Sequence, residues 1–385
     1  MSNLISILGS TGSVGLNTLK IIDKKRKKFR INLLASDKNY KLICKQIKKY
    51  KPNIFVINDL KIYLKVKKKF KSNKTLILNN FKSITCKNFN ITICAIPGLA
   101  GLEPTIAMIK FSSKILIANK ESIICGWNLI QSHAKRYKTE LVPIDSEHYS
   151  IKILLENHNL DEIDKIYITA SGGPFLNYKA HQFKKIRPKD ALKHPKWKMG
   201  KKISVDSSTL MNKILEVVEA NKLFKIPLNK LEILIHPNSL VHAIVQLKNG
   251  LTKFIYHDTS MIIPLANAIF NGNIQIDEFY KNKKKKVIEN LIFRSVNPVI
   301  FPIIKMKKRL NEYPSTSIIV NAANEILVDQ FLQKKIPFSS ISKIIMTILN
   351  DRNYRKYAIK RPKNIKEIYK IDEWTRKCVL KLTEA

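Results

Sequence analysis

Between His194 and Ala220 the chain reads HPKWKMGKKISVDSSTLMNKILEVVEA, and this stretch concentrates groups that could hold an anion and a metal ion side by side. Its first part, to Lys202, contains a Pro, a Gly and several Lys with no apolar period, and reads as a loop. A helix follows, with Asp206, Ser207 and Ser208 as candidate N-cap oxygens. At about 100° per residue, Leu210, Ile214, Val217 and Val218 share one face. Ser208, Asn212, Glu216 and Glu219 share the opposite face, with Lys213 beside them. A helix start bearing hydroxyls, an amide and a Lys is a ready anion site. Glu216, a turn further on, is placed to reach a metal next to that anion. His194, Trp197 and Met199 would then form a cover over a phosphorylated substrate. The plainer alternative is a surface helix with a solvated polar side.

A second group lies at Asp145-Ser146-Glu147-His148, after an apolar run at 141–144. If the strand persists, alternation turns Asp145 and Glu147 the same way. Two such carboxylates suit a hard divalent ion. The competing reading is a helix start, with an N-cap Asp and a first-turn Glu. A third group is GSTGSVG at 9–15, where Gly9, Gly12 and Gly15 follow an apolar run and precede a helical pattern. Strand, glycine turn and helix is the context a dinucleotide loop needs. Ser10, Thr11 and Ser13 add hydroxyls for phosphate oxygens. The following strand ends at Ser36-Asp37-Lys38-Asn39, where a base favours a 2′-phosphate and an acid a free ribose hydroxyl.

Positioning these groups takes a βα pattern. Strands are expected at 4–8, 31–35, 54–57, 91–96, 115–118 and 141–144, with helices between. Asn119, Lys120, Glu121 and Ser122 lie at one strand end, where open α/β sheets bind ligands. Further strands are expected at 165–170, 231–235, 245–247 and 254–257, the last two joined by a hairpin turn at Lys248-Asn249-Gly250. Ser171-Gly172-Gly173 forms an N–H-rich turn. The long segment 172–202 reads as a functional loop. Helical periodicity dominates at 317–333, 341–350 and 365–382. His236 and His242 are as plausible in a core as in a site.

The motif at 194–220 resembles that of the 1-deoxy-D-xylulose 5-phosphate reductoisomerase family. GSTGSVG, ANKES at 118–122, VPIDSEH at 142–148, SGGPF at 171–175 and HPNSLVH at 236–242 resemble the same family, across essentially the whole chain. Three places depart from it, and at the first Asp37 stands where the family usually has a small residue. Leu176 stands where the family usually has Arg, and DTSMIIPLANA at 258–268 lacks its usual Arg and His. The resemblance implies an α/β protein with a Rossmann-like NADPH domain at 1–150 and a catalytic α+β domain at 151–298 with a lid at 172–202. A C-terminal helical domain at 299–385 completes it. It implies conversion of 1-deoxy-D-xylulose 5-phosphate to 2-C-methyl-D-erythritol 4-phosphate by metal-assisted rearrangement and hydride transfer.

The residues carry over by motif. Asp145, Glu147 and Glu216 are implied metal ligands for Mn²⁺ or Mg²⁺, with Co²⁺ as a further candidate. Lys120, Glu147 and His194 are implied catalytic groups. Ser146, Ser171, His194, Trp197, Ser207, Asn212, Lys213 and Glu216 are implied at the substrate. Gly9, Ser10, Thr11, Gly12, Ser13, Val14, Lys38, Asn39, Asn119, Glu121 and Gly200 are implied at NADPH. Asn324 and Glu325 of NAANE are expected to be caps or bonds between domains. The family also implies a homodimer.

Composition limits the alternatives. The net charge of +41 comes almost entirely from Lys, and Ile and Asn are abundant too. AT-rich codons favour these three residues, so genome composition suffices to explain the charge. No base-reading motif with interleaved aromatics accompanies it, which argues against a nucleic-acid partner. The KNKKKK run at 281–286 reads as a solvated loop. Cys44, Cys86, Cys94, Cys125 and Cys378 form no CxxC pair and read as reduced thiols of a cytosolic bacterial protein. No apolar run has membrane-spanning length, and the early first strand leaves no room for a signal peptide.

Lys38 should favour NADPH, and Asp37 should blunt that preference. Asp37→Gly is expected to raise the NADPH/NADH ratio of kcat/KM. An unchanged ratio would show that this turn does not read the 2′-phosphate.

Overall fold

The structure is a computed structural model that describes residues 3–84, 89–197, 199–280 and 291–384. Cys86, Lys198 and the KNKKKK run lie outside them. The chain packs into two compact units. The first takes the described residues within Met1–Ser122, Trp127–Tyr149 and Ser260–Lys286, and the second those within Ile123–Gly126, Ser150–Thr259 and Val287–Ala385.

In the first unit, short Ile- and Leu-rich runs become β1 (Asn3–Leu8), β2 (Phe29–Ser36), β3 (Ile54–Ile57), β4 (Leu76–Leu78), β5 (Phe89–Cys94), β6 (Ser112–Ile117) and β7 (Glu140–Pro143). All are parallel, in the order β4-β3-β2-β1-β5-β6-β7. Consecutive residues of β2, β3 and β5 are buried, so both sheet faces are covered and the runs need no alternation. The crossovers are α1 (Ser13–Lys24), α2 (Tyr40–Tyr50), α3 (Leu60–Lys69), α4 (Leu102–Ile109) and α5 (Lys120–Tyr137). The strand order reverses at β1, since the chain runs outward to β4 and then returns to pair β5 with β1. Ligands of such sheets bind at that switch, beyond the carboxyl ends of the strands.

The glycine turn sits at this switch. Gly9 has φ +85°, and a Cβ on it would stand 2.5 Å from the Ala95 carbonyl oxygen, just past β5. A Cβ on Gly15 would lie 2.4 Å from the Gly9 oxygen, so α1 can begin this close to the turn only without a side chain there. Gly12 is the N-cap of α1 and offers no side chain to its first N–H groups.

The second unit holds β8 (Ile163–Ala170), α7 (Pro188–Ala191), α8 (Lys201–Thr209), α9 (Met211–Phe224), β9 (Leu231–Ile235), β10 (Val241–Leu247) and β11 (Thr252–Tyr256). It is preceded by α6 (Ser146–Leu155), which starts in the first unit. The chain then passes back to the first unit as α10 (Ile262–Phe270), whose Leu265, Ala266, Ala268 and Ile269 join the core around Leu19 and Ile22. This apolar packing is why residues 260–280 cluster with the N-terminal sheet rather than with the residues around them in sequence. It also gives DTSMIIPLANA a structural role. The second unit closes with β12 (Arg294–Ser295) and helices α11 (Thr316–Leu332), α12 (Ser340–Leu349), α13 (Tyr354–Ala358) and α14 (Ile365–Glu384). Its sheet is mixed, in the order β11-β10-β8-β9-β12.

Three sequence expectations need correction. The helix expected from about 206 is two helices. Gly200 is the N-cap of α8, and Leu210 separates α8 from α9 with φ 67° and ψ 8°, a left-handed conformation held by a side chain only 1 % exposed. Asp206 and Ser208 therefore lie inside α8 and cap nothing. The Asp206 carboxylate accepts from Lys202 Nζ at 2.9 Å and from Asn324 Nδ2 at 2.7 Å, and the Ser208 hydroxyl lies 2.7 Å from the Ser204 oxygen. Second, the polar stripe of α9 is not solvated, because Glu216 and Glu219 are 0 % and 1 % exposed. Third, β7 stops at Pro143, which has no N–H to continue a ladder. The Asp145 carbonyl accepts from Tyr149 N–H at 2.8 Å, so Asp145 and Glu147 flank a helix start rather than alternate along a strand.

The segment 172–202 is partly ordered by its own aromatic residues. It contains a 3₁₀ helix at Ala180–Lys185 and the short α7. Phe175, 1 % exposed, packs on Phe183 and Phe338 at 6.0 and 5.3 Å between ring centroids.

Gly15→Ala should destabilise the first unit by about 1–3 kcal/mol, because the methyl meets backbone that cannot swing aside. Urea unfolding would measure it, and unchanged stability would mean that the turn relaxes freely.

Candidate active site

The candidate nucleotide turn is built in the first unit. The Ser10 hydroxyl is buried and donates to Gln46 Oε1 at 2.7 Å, while Gln46 Nε2 donates to the Ser10 carbonyl at 2.9 Å. Ser10 is thereby used to brace the turn, so its hydroxyl does not face a phosphate. Gln46 is a contributor that the motif did not reveal, since nothing in its helical context marks it. Thr11 Oγ1 bonds Ser36 Oγ at 2.5 Å, joining the ends of β1 and β2. Gly12 and Ser13 are exposed at the start of α1, and Val14 is half-buried beside them. Asp37, Lys38 and Asn39 are all exposed at the end of β2. Asn39 caps α2, accepting from Leu42 N–H at 3.2 Å.

At the ends of β6 and β7, Asn119 caps α5, accepting from Ser122 N–H at 2.5 Å. Its amide also donates to the Gly98 carbonyl at 2.9 Å and to that of Ile96, which locks it across the strand ends. Glu121 is buried in the first turn of α5. Lys120, largely buried, places Nζ 2.9 Å from Asp145 Oδ2. The Ser146 hydroxyl donates to Glu147 Oε2 at 2.6 Å. One cation, one hydroxyl and two carboxylates therefore meet where the parallel strands end.

The second unit brings together groups from a turn, a loop and two helices. Gly172 and Gly173 have φ +82° and +65°. A Cβ on Gly173 would come within 2.9 Å of the Ser207 carbonyl oxygen, so the Ser171 turn lies against the end of α8. His194 Nδ1 accepts from Trp197 N–H at 2.9 Å and from Lys196 N–H at 3.2 Å. A nitrogen that accepts carries no proton, so the neutral ring holds its proton on Nε2. That N–H donates to Ser171 Oγ at 3.0 Å, and Gly173 N–H donates to the same oxygen at 3.1 Å. With two bonds accepted, the Ser171 hydroxyl proton is left to donate outward. Burial, and then the nearby Lys213 charge, pushes the His194 imidazole from 6.5 down to about 4.

Asn212 and Lys213 occupy the first turn of α9, and both bond Glu216, Lys213 Nζ at 2.7 Å from Oε2. Trp197 is half-buried, edge-on to His242 at 6.2 Å, so part of the cover has packing of its own. His236 and His242 are buried with ring nitrogens on the carbonyls of Ile292 (2.9 Å) and His257 (3.1 Å), as core histidines are. Gly200 is exposed at the start of α8. Lys222 was not marked by any motif. It is buried, with Nζ on Ser317 Oγ at 3.1 Å and on the Ile124 carbonyl next to the non-helical Gly126 of α5, and burial pushes it down to about 8.

The residues fit both implied groups. The α1 start and the side-chain-free turn at Gly9 and Gly12 give a pyrophosphate N–H groups and room for close approach. The candidate metal donors Asp145, Glu147 and Glu216 are all carboxylates, the oxygen donors that hard Mg²⁺ or Mn²⁺ takes.

His194 should titrate near 4 and sit as the Nε2–H tautomer at neutral pH. Its folded value lies below its unfolded one, so protonation penalises the fold progressively as pH falls from about 6.5 to 4. Ring ¹⁵N shifts would report both, and a midpoint near 6.5 would contradict the buried geometry.

Comparison with known proteins points to one family. A model of the 1-deoxy-D-xylulose 5-phosphate reductoisomerase family matches residues 5–126, one of its C-terminal domain residues 141–224, and one of the DXP reductoisomerase C-terminal domain residues 258–378. The 1-deoxy-D-xylulose 5-phosphate reductoisomerase of Pelagibacter ubique is 45% identical over 377 residues, 96% of this chain and 97% of that one. That of Halothermothrix orenii is 33% identical over 98% of this chain and 97% of its own. A crystal structure of DOX-P reductoisomerase in complex with NADPH, fosmidomycin and magnesium is similar with a TM-score of 0.91 at 28% identity, over 99% of this chain and 98% of that one. The Zymomonas mobilis reductoisomerase in complex with NADPH has a TM-score of 0.88 at 29% identity over the full length of both chains.

Proposed function

The chain belongs to the 1-deoxy-D-xylulose 5-phosphate reductoisomerase family, and we infer that it catalyses that family's reaction. It is an NADPH- and divalent-metal-dependent enzyme converting 1-deoxy-D-xylulose 5-phosphate to 2-C-methyl-D-erythritol 4-phosphate, in non-mevalonate isoprenoid biosynthesis. The observation that carries the reading is the convergence of Ser171, His194 and Ser207 beside the α9 start with Asn212 and Lys213. It joins hydroxyl, amide and ammonium donors, which is phosphate-binding chemistry.

We assign the residues as follows. Ser171 donates its hydroxyl proton to a phosphate oxygen, held at the right angle by His194 Nε2–H and Gly173 N–H. Ser207, Asn212 and Lys213 supply the remaining donors. His194 stays neutral, so it orients Ser171 without adding a second charge beside Lys213. Lys120 and Ser146 position the oxygens of the rearranging carbons, and Trp197 with His194 covers them from water. Gly9 to Val14, Lys38, Asn39, Asn119, Glu121 and Gly200 line the NADPH path, Ser10 by bracing the turn. Asp145, Glu147 and Glu216 hold the divalent ion. When bound, that ion supplies Lewis-acid charge to the substrate oxygens, and NADPH supplies the hydride.

In this reading residues 1–150 serve the nucleotide and contribute Asp145 and Glu147 to the metal, 151–298 hold the substrate and contribute Glu216, with 172–202 as lid, and 299–385 support them. The working form is a homodimer in the bacterial cytoplasm. Among the described residues no helix is long and apolar enough to cross a membrane.

Glu216→Gln tests the assignment. It keeps shape but removes charge that a hard ion requires, so turnover should fall by at least about 100-fold and need more Mn²⁺. NADPH binding, followed by fluorescence, should be unchanged. Near wild-type turnover at the same Mn²⁺ concentration would remove Glu216 from the metal site.

A further inference from the structure

The C-terminal helices of the second unit frame a concavity remote in sequence from every residue assigned above. Its walls come from α13, the following turn and α14. The cavity is about 670 Å³, within the range of small-molecule sites. Tyr357 and Trp374 line it as a stacked pair, 4.3 Å between centroids and 10° between planes, each half-buried. Lys360, Arg361 and Lys370 stand exposed around this pair.

Lysines are everywhere on this protein, so number alone means little. What distinguishes these three cations is their place around a cavity that also holds a stacked aromatic pair, with a lining that carries four cations against two carboxylates. Their neighbours are matched: Lys377 pairs with Glu373 at 2.7 Å, and Arg376 with Asp372 at 2.5 Å and with Glu325. Glu367, the other acid at the rim, is occupied with the Lys363 N–H at 2.8 Å and the Asn364 amide at 3.0 Å. Among the described residues, Lys360, Arg361 and Lys370 have no carboxylate within ion-pair distance, and Lys360 Nζ instead lies 5.5 Å from the Tyr357 ring centre. Three like charges gathered around a cavity repel one another unless an anion joins them. Aromatic faces beside such cations offer a stacking surface for a base.

We propose that this concavity is a second ligand site, taking a nucleoside polyphosphate with its base against the Tyr357–Trp374 pair and its phosphates on Lys360, Arg361 and Lys370. The site is independent of the metal and sugar-phosphate residues. A free nucleotide and the end of a single-stranded nucleic acid share this chemistry. The cavity's volume, which suits one nucleotide, favours the free form.

The test is calorimetric titration of ATP into the full chain saturated with NADP⁺, so that the glycine turn is already filled. Saturable binding with one ATP per chain and a Kd below about 1 mM is expected. Arg361→Glu with Lys370→Glu should weaken it about tenfold or more and leave turnover of the sugar phosphate unchanged, which also reports that the variant is folded. Inorganic triphosphate should bind more weakly than ATP, since it has no base to stack. A variant retaining only Trp374 among the tryptophans should show quenching that saturates with the heat signal. The proposal is overturned if ATP does not saturate, if the double reversal leaves its affinity unchanged, if triphosphate binds as well as ATP, or if an oligouridine binds where ATP does not.

Discussion

A carboxylate with no contact with water is the constraint around which the second unit is arranged. Glu216 is fully buried in α9, and an ionised group there is tolerated only with charge and hydrogen bonds close by. Lys213 and Asn212, a turn earlier on the same helix, supply them. This ties three functional groups into one rigid turn. The helix can begin where it does because Leu210 takes a left-handed conformation that ends α8 and starts α9. The cost of that conformation, about 1–2 kcal/mol, is smaller than the gain from burying a leucine side chain, so packing wins.

The same logic extends to the loop side. Asp206 is also buried, and Lys202 and Asn324 hold its carboxylate, which anchors α8 to α11. The end of α8 then receives the Ser171 turn, and the turn receives His194. Each step removes polar groups from water and gives them hydrogen-bond partners, two each for the Asp206 carboxylate and Ser171 Oγ, which leaves the Ser171 hydroxyl proton to donate outward. A neutral imidazole suits this arrangement, because burial near Lys213 disfavours the charged ring.

In the first unit the deciding constraint is steric. The approach of α1 to the turn after β1 is set by backbone atoms, and any Cβ at Gly9 or Gly15 would overlap them. Closeness of this kind lets main-chain N–H groups face a phosphate. Gln46 and Ser36 then use up the Ser10 and Thr11 hydroxyls to hold the turn's shape. Hydroxyls that look like ligand donors in a motif can thus be structural members.

Local pattern determined much of this protein. The apolar runs placed every strand of the central sheet except the short β4, because strands buried on both faces are continuous in sequence. The glycine spacing located the tight turn between β1 and α1, since only glycine tolerates that approach. Three helices of the C-terminal part, α11, α12 and α14, were legible to within a few residues from their period, and the short α13 was not. What only tertiary structure decided was where polar groups point. Periodicity placed Glu216 and Glu219 on a polar face and implied solvent, but in the folded chain both are buried. Asp206 and Ser208 had cap chemistry and became helix interior, because α8 already begins at Gly200 and their side chains are engaged with Lys202, Asn324 and the Ser204 carbonyl. The Lys213–Glu216 pair and the bonds to His194 Nδ1 are local, but burial and the Ser171 partner of His194 depend on residues distant in sequence, and no local pattern contains that information.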